Sequence, residues 1–339
     1  KNYLRIFYWF IWYDLIHGQI KIIIHLGSVI FKHWIIKTPY AVIIETGNTC
    51  NFHCPTCPTP HAVIYKKRPM ELMTYDKFCK IIDNIKDYTH VVYLYNSNEP
   101  LLNPHIVEMI KYAASKNLHT MISTNASLLD EKKAKEILSS GLGEIRFAFD
   151  GLTKESFESF RVGGDFVTVK NNIEIFCRLK REMNAKKPIV TLQFILNKLN
   201  EDQVDDIKKF CQINHIDRLY IKPFILSGYA YTKEQIQELS DSFFVNKMVD
   251  DENVVYELRG DELKPKIEYS KCPDVNKIFT ILSDGRAVMC CFDLLGDYVY
   301  GDAVGQSFKN LWFNDNAVNI RSRASHRDWP LCKICGNLE

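Results

Sequence analysis

The 339-residue chain has almost no net charge. Its 43 basic and 41 acidic residues leave a formal +2, and no Lys/Arg run of the kind that nucleic-acid binding needs appears, so the field such binding requires is missing. Long hydrophobic runs are missing too. Charges and histidines break every apolar stretch before the roughly 18 residues a spanning helix needs, which excludes such a span. The chain shows no signal-peptide cleavage pattern, no repeat longer than one βα unit and no low-complexity segment. It starts at Lys1 with no Met, as a trimmed or an incomplete N-terminus would. Hydrophobic content of 46% with 25% charged residues excludes a disordered chain and fits a folded one with a large core.

Cysteine, by contrast, is abundant. Eight of the eleven fall in two regions containing C-x3-C and C-x2-C spacings, a pattern of metal or redox ligation more than of a disulfide framework. Thiolate-held metal of this kind needs a reducing compartment, so a cytoplasmic location is expected. The other three, Cys79, Cys177 and Cys211, sit singly in apolar helical patterns and read as buried core thiols.

Residues 1–38 are an aromatic extension. Phe7–Tyr13 is aromatic or apolar throughout, a second apolar stretch runs from Ile20 to Ile36, and Asp14, His17, Lys21, His25, Lys32 and His33 interrupt them. A pair of helices packed on the main domain is the expectation. A membrane-surface or partner-docking helix is the alternative, because Trp and Tyr beside Lys suit an interface.

From residue 39 to 227 short apolar runs alternate with amphipathic stretches. Strands are predicted at Ala41–Glu45, Val91–Tyr95, His119–Ser123, Glu144–Phe149, Ile189–Leu196 and Arg218–Ile221. Helices are predicted at Thr74–Lys86, Pro104–Lys116, Asp130–Ser140, Val167–Met183 and Asn200–Asn214. Six βα units with right-handed crossovers imply an α/β fold, a partial (β/α)6 barrel of the TIM type with its chemistry at the C-terminal ends of the strands. Residues 228–270, with Gly228, Gly260 and the acidic run Asp250–Glu252, read as a linker with some helix. Residues 271–339 change character: Cys272, a hairpin from Phe279 to Cys291 around the turn Ser283–Arg286, a helix at Ser307–Ser322, and the closing pair Cys332 and Cys335.

Cys50, Cys54 and Cys57 follow the first strand in C-x3-C-x2-C spacing. Three thiolates on one short loop can hold three irons of a [4Fe–4S] cube and leave the fourth open to a non-protein ligand, whereas most ferredoxin-type clusters use four cysteines. A zinc knuckle completed by His53 or His61 is the alternative.

This trio, placed after the first strand of a partial barrel, resembles the radical S-adenosylmethionine (SAM) superfamily. The resemblance implies that Cys50, Cys54 and Cys57 bind a [4Fe–4S] cluster whose open iron chelates SAM. It also implies that one electron, supplied by an external reductant such as flavodoxin or ferredoxin, yields a 5′-deoxyadenosyl radical that takes hydrogen from the substrate. Asn96–Leu102 resembles the family's GGEPLL segment without its glycines. That makes Glu99 a partner for the SAM ammonium, or otherwise an acid at a helix start. By the same resemblance Ser123, Asn125 and Arg161 meet SAM, Gln193 joins them if it points into the barrel, and Asp150 faces SAM or acts on the substrate. Ala148 replaces a serine common in relatives. Thr56 replaces the aromatic or Met that packs on adenine, with Phe52 as its substitute.

Cys272, Cys290, Cys332 and Cys335, together with Gly301–Trp312, resemble the twitch form of the SPASM extension. This implies an auxiliary [4Fe–4S] cluster, with structural zinc as the alternative. Cys291 is an extra ligand, a packed thiol or a hydrogen-atom donor. The resemblance favours oxidation of a hydroxyl-bearing carbon of a sugar- or cyclitol-like molecule, as in an aminocyclitol dehydrogenase of the twitch group. A radical epimerase and a peptide maturase are the alternatives; residues 1–38 are short for a leader-binding domain. A non-catalytic Fe–S or zinc protein is the reading from another class.

Overall fold

A computed structural model describes residues 20–59, 67–223, 233–243, 256–259, 262–265, 270–333 and 335. Phe7–Tyr13, His61, Gly228, Asp250–Glu252 and Gly260 lie outside them.

Helix α1 (Ile20–Ile36) precedes a barrel-type series of β1 (Ala41–Ile44), α2 (Tyr75–Ile85), β2 (Val91–Tyr93), α3 (Ile106–Ser115), β3 (His119–Thr124), α4 (Glu131–Leu138) and β4 (Glu144–Ala148). The series continues with α5 (Lys154–Phe160), α6 (Phe166–Glu182), β5 (Ile189–Leu196), α7 (Val204–Ile213) and β6 (Arg218–Pro223). Every predicted strand and helix of this region is present within a few residues of its expected bounds. Helix α5 was not expected. Seven residues carry too little periodicity to show, but Thr153 and Ser156 close a capping box at its start.

The elements form for local reasons. Thr74 caps α2 by accepting from Lys77 N, and Phe78, Ile81, Ile82 and Ile85 bury one face at helical spacing. Asp130 caps α4 in the same way through Lys133 N. Strands β1–β6 pair in parallel, in sequence order. Alternate strand residues (Val42, Val92, Ile122, Ile145, Phe147, Leu192 and Phe194) pack with the helices in the main core. The opposite, inner face carries Ala41, Val91, Met121 and Ile189, with Tyr93 and Tyr95 against them.

The C-terminal region is not a detached module. Strand β9 (Ile278–Ile281) pairs in parallel with β1, Val42 opposite Phe279. β10 (Arg286–Val288) returns antiparallel beside β9. A further strand beyond the predicted hairpin, β11 (Val299–Asp302), extends the sheet to nine strands. Gly285 takes φ +98° in the expected turn. The predicted Ser307–Ser322 helix is two helices, α9 (Phe308–Phe313) and α10 (Asp315–Ser325), because Asn314 is extended and caps the second through Ala317 N. Trp312 packs against Phe279, Phe308 and Tyr300, and its Nε1 donates to Lys37 O at 2.9 Å, pinning α9 to the end of α1. α11 (Pro330–Lys333) closes the described region.

Residues 228–270 are more than a linker: helix α8 (Lys233–Phe243) and an antiparallel pair, β7 (Tyr256–Arg259) and β8 (Glu262–Pro265), lie within them. α1 docks by burying Leu26 and Val29 and leaves Ile24, Phe31, Trp34 and Ile35 exposed. All eleven cysteines are free thiols, with Cys177 and Cys211 buried as expected and Cys79 only partly so.

Candidate active site

The loop after β1 carries the three thiols at the C-terminal end of the sheet. Cys57 N donates to Cys54 O at 3.1 Å, His53 N to Val162 O at 2.7 Å, and Glu99 N to Thr49 O at 2.9 Å, so the loop is tied to the segments after α5 and β2. Donors approach the sulfurs. Phe52 N lies 3.4 Å and Asn125 Nδ2 3.9 Å from Cys50 Sγ, and Arg161 Nη1 lies 3.7 Å from Cys54 Sγ. Burial pushes the Cys50 thiol up to about 12 and raises Cys54 as well, where the Arg161 charge opposes it. Thiols set in this way become thiolates only when a cation joins them. N–H groups aimed at sulfur fit an iron–sulfur cluster, whose potential such bonds tune. Among the described residues no three Cys, His, Asp or Glu side chains surround a point suited to a single metal ion. A cube would instead place each thiolate on its own iron.

Glu99 is buried beneath this loop. It caps a single 3-10 turn through Leu101 N at 3.0 Å, and accepts from Thr124 Oγ1 at 2.7 Å and Asn125 N at 2.8 Å. Burial raises its pKa and these three donors oppose the rise. Asn125 therefore links Glu99 to Cys50, and it also donates to Asn51 Oδ1 at 3.0 Å. Thr124, one residue past the predicted Ser123, makes the contact to Glu99. Strand alternation turns Ser123 to the inner face and Thr124 toward Glu99, and no pattern in the sequence favours one over the other.

Asp150 is fully buried in an ion pair with Arg161 and also accepts from Ile195 N. Both of its oxygens are engaged, and the pair holds the Arg161 guanidinium at the end of β4. Phe52 is 2% exposed, and a side chain at position 164 would meet its ring. Gln193 lies opposite Ala148, on the inner face that also carries Thr191 and Arg146.

The second cysteine set converges as well. Cys290 feels the charges of Cys291 and Cys335, and Cys332 feels those of Cys272 and Cys335. Burial raises Cys290 well above the usual thiol range and Cys332 to about 11. Arg327 Nη2 donates to the carbonyls of Cys332 and Cys335 at 2.5 and 2.8 Å, holding the C-x2-C turn. Tyr298 and Trp329 pack beside it with ring centroids 4.6 Å apart. Cys291 belongs to this set by position.

Sequence reading missed a buried ion pair between the two sites. Arg68 and Glu45, 1% and 0% exposed, form a salt bridge. Arg68 also donates to Leu294 O and Ser283 Oγ, each at 2.8 Å, and Ser283 N donates to Glu45 at 3.0 Å. Neither residue stands in a motif, and they are 23 positions apart.

A parallel partial barrel with three thiols on its first loop and a second thiol set on an appended sheet defines an iron–sulfur enzyme. Residues 44–211 match the radical SAM superfamily and residues 272–336 match SPASM, an iron–sulfur cluster-binding domain; the chain belongs to the radical SAM superfamily with a C-terminal SPASM-type domain. Domains of these two kinds bind Fe–S clusters and, in the first, SAM.

The chain is 22% identical over 317 residues, 86% of each chain, to a tungsten-containing aldehyde ferredoxin oxidoreductase cofactor-modifying protein of Pyrococcus furiosus. It is 24% identical to a PqqA peptide cyclase of Bradyrhizobium diazoefficiens, covering 57% of this chain and 48% of that one, so it spans about half the length of that relative. Among solved structures, BtrN with AdoMet and 2-DOIA superposes with a TM-score of 0.55 at 15% identity, covering 88% and 94% of the two chains. Streptococcus suis SuiB bound to its precursor peptide SuiA superposes with a TM-score of 0.61 at 16% identity, covering 96% and 76%. These likenesses show the fold.

Proposed function

We propose that the protein is a radical SAM oxidoreductase acting on a hydroxyl-bearing carbon of a polar small molecule held inside the partial barrel. One observation carries the reading: Asn125 joins the buried carboxylate Glu99 to Cys50, at the strand ends where the three-thiol loop sits. A passive electron carrier has no use for that polar set beside an incomplete thiol shell.

Cys50, Cys54 and Cys57 would hold one [4Fe–4S] cluster, and Cys272, Cys290, Cys332 and Cys335 an auxiliary one. When bound, the first cluster with SAM supplies a 5′-deoxyadenosyl radical that removes a hydrogen atom from substrate. The chain's own residues do the rest. Arg161, held by Asp150, places a positive charge beside Cys54 and would pair with the carboxylate of bound SAM. Glu99 and Asn125 would hold the amino-acid end of SAM, and Ser123 and Gln193 face the barrel interior. The relative matched over 86% of both chains is named for modifying a cofactor, and the BtrN structure is a complex with AdoMet and 2-DOIA, which supports a non-peptide substrate.

A peptide substrate is the second reading, favoured by the likeness to the PqqA peptide cyclase and to SuiB with its precursor peptide. Cys291 stands next to the auxiliary ligand Cys290, which supports packing or ligation over hydrogen donation in an epimerase. An external one-electron reductant of the flavodoxin or ferredoxin kind and a cytoplasmic location complete the proposal. Among the described residues no helix is long and apolar enough to cross a membrane. The exposed row Ile24, Phe31, Trp34 and Ile35 on α1 supports docking to a membrane surface.

Anaerobic reconstitution tests the reading. About eight irons per chain and 5′-deoxyadenosine formed from SAM and dithionite are expected. Zinc with no brown chromophore, or no SAM cleavage, overturns it. A product lighter by two hydrogens separates oxidation from epimerisation.

A further inference from the structure

The rim of the second thiol set is locally positive, although the chain as a whole is nearly neutral. After Asp315, α10 and α11 hold Arg321, Arg323, Arg327 and Lys333 against a single acid, Asp328. Arg321 is buried on Trp312, 3.9 Å from the ring centroid, whereas Arg323 and Lys333 are exposed and Arg327 is partly so. Exposed Lys271 joins this surface, because Cys272 N donates to Ser325 O at 3.0 Å and Asn276 Nδ2 to Ser325 Oγ at 2.9 Å. Among the described residues, Lys271, Arg323, Arg327 and Lys333 form no ion pair. The neighbouring acids do not offset them. Asp293 is buried and accepts from Asp297 N and Tyr298 N at 2.8 and 2.9 Å, Asp297 pairs with Lys67 at 2.8 Å, and Asp274 is buried. Asp328 is the one other carboxylate this rim exposes among the described residues.

The same side chains reach the thiols. The Arg323 guanidinium lies 3.5 Å from the centroid of the half-buried Trp329 ring, whose Nε1 donates to Ile320 O at 3.1 Å. Tyr298 packs on the other partner of that stack, 4.6 Å from Trp329 between centroids. Burial raises the Tyr298 phenol, and the charges of Asp293, Asp297 and Cys332 add to the rise, so the ring stands beside the thiol set. Arg327 holds the C-x2-C turn through the carbonyls of Cys332 and Cys335, and Lys333 lies within that turn. Cys272 and Cys335 are only partly buried. A cluster held by these thiols would therefore lie just under the positive rim, with an aromatic pair between it and Arg323.

We infer that this rim, formed by Lys271, Arg323, Arg327 and Lys333, is the docking surface for an acidic protein that carries single electrons. Charge complementarity steers such encounters and orients the partner, while the contact itself stays small and short-lived. The position of the rim selects an electron carrier over other acidic proteins, since it places the partner against the thiol set and the Tyr298–Trp329 pair. One electron crosses per encounter: the carrier's reduced centre loses it, the cluster gains it, and no bond is made or broken. The inference rests on the proposed function, in which Cys272, Cys290, Cys332 and Cys335 hold an auxiliary cluster, and adds where the external carrier meets the chain.

Flavodoxin, an acidic flavin protein, serves as the probe. It is titrated calorimetrically into the anaerobically reconstituted full chain in about 50 and about 300 mM sodium chloride, which screen surface charge to different extents. Binding at one site is expected in low salt, weakening severalfold in high salt. Arg323→Glu should weaken it about tenfold or more in low salt, as reversal of a rim charge requires. Lys271→Glu/Lys333→Glu should do the same with the Arg323–Trp329 stack intact, and this pair carries the test if Arg323→Glu does not fold. Lys111→Glu/Lys132→Glu, exposed on α3 and α4, matches the double variant in net charge and should bind as the wild type does. Hydrogen exchange with flavodoxin present should slow within residues 316–333. No binding, binding indifferent to salt, or equal weakening by the α3–α4 variant overturns the inference. Formation of 5′-deoxyadenosine with dithionite, which needs no carrier, reports on the proposed function, so the two can fail independently.

Discussion

Arg161 Nε donates to Asp150 Oδ2 at 2.5 Å while its Nη1 reaches Cys54 Sγ at 3.7 Å. One guanidinium thus joins a fully buried carboxylate at the end of β4 to a candidate cluster thiol. Removing either partner strands the other charge, and broken buried pairs cost about 3–5 kcal/mol. Arg161→Gln and Asp150→Asn should each lower the unfolding temperature of the reconstituted protein markedly. The double variant should lose less than the sum, since no lone charge remains. Additive losses in that cycle would show that the pair is not coupled.

Arg68 and Glu45 make the corresponding connection between β1 and the β9–β10 turn. Arg68→Met leaves Glu45 buried without its counter-charge, so a loss of about 3 kcal/mol or more is expected. The bonds to Ser283 and Leu294 are lost with it, so limited proteolysis should cut first within 270–333. Unchanged cleavage sites and rates would argue against this latch.

Gly164 leaves no room for a side chain. A Cβ there would sit 2.7 Å from Phe52 Cζ and 2.9 Å from Phe157 Cε1, both buried rings. Gly164→Ala should therefore displace Phe52, which lies between Cys50 and Cys54, at a cost of about 1–3 kcal/mol. Iron should be lost from the first thiol set before the second. Electron paramagnetic resonance of the two reduced clusters reads this, and equal loss from both would contradict it.

Acid should destabilise the fold through His90. Burial, with His25 and Lys187 nearby, lowers its pKa from 6.5 to about 3. His119, equally buried, is lowered by the same cause with Lys187, His90 and Arg218 close by. Between these limits the unfolded chain binds a proton that the folded chain refuses. The stabilisation from keeping His90 neutral is complete above about pH 6.5, and it falls by about 1.4 kcal/mol per pH unit toward pH 3. His90→Asn should flatten this part of the curve of unfolding free energy against pH. An unaltered slope would assign the acid sensitivity elsewhere.

The exposed row on α1 predicts binding to vesicles. Trp34 is 77% exposed, and its fluorescence should shift to the blue with anionic liposomes, an effect lost in the Phe31→Ser/Trp34→Ser double variant. No shift in any emission component, and no co-flotation, would exclude surface docking through α1.

The sequence by itself determined the parallel order of β1–β6, the two cysteine sets and the polar residues at the strand ends. Each rests on local rules: alternation of apolar runs, caps such as Thr74 and Asp130, and thiol spacing along a short loop. Such rules fix which residues lie near one another in the chain. They could not pair Arg68 with Glu45 and Ser283, attach β9 to β1, divide the last long helix at Asn314, or decide that Thr124 and not Ser123 faces Glu99. These depend on which sheet edge remains open and on which way a side chain turns once the strands close. Tertiary structure also brought Asp150 to Arg161 and set Arg146 of β4 and Arg218 of β6 on either side of Thr191. Charge pairing in a buried interior is decided by distance in space, and distance along the chain does not record it.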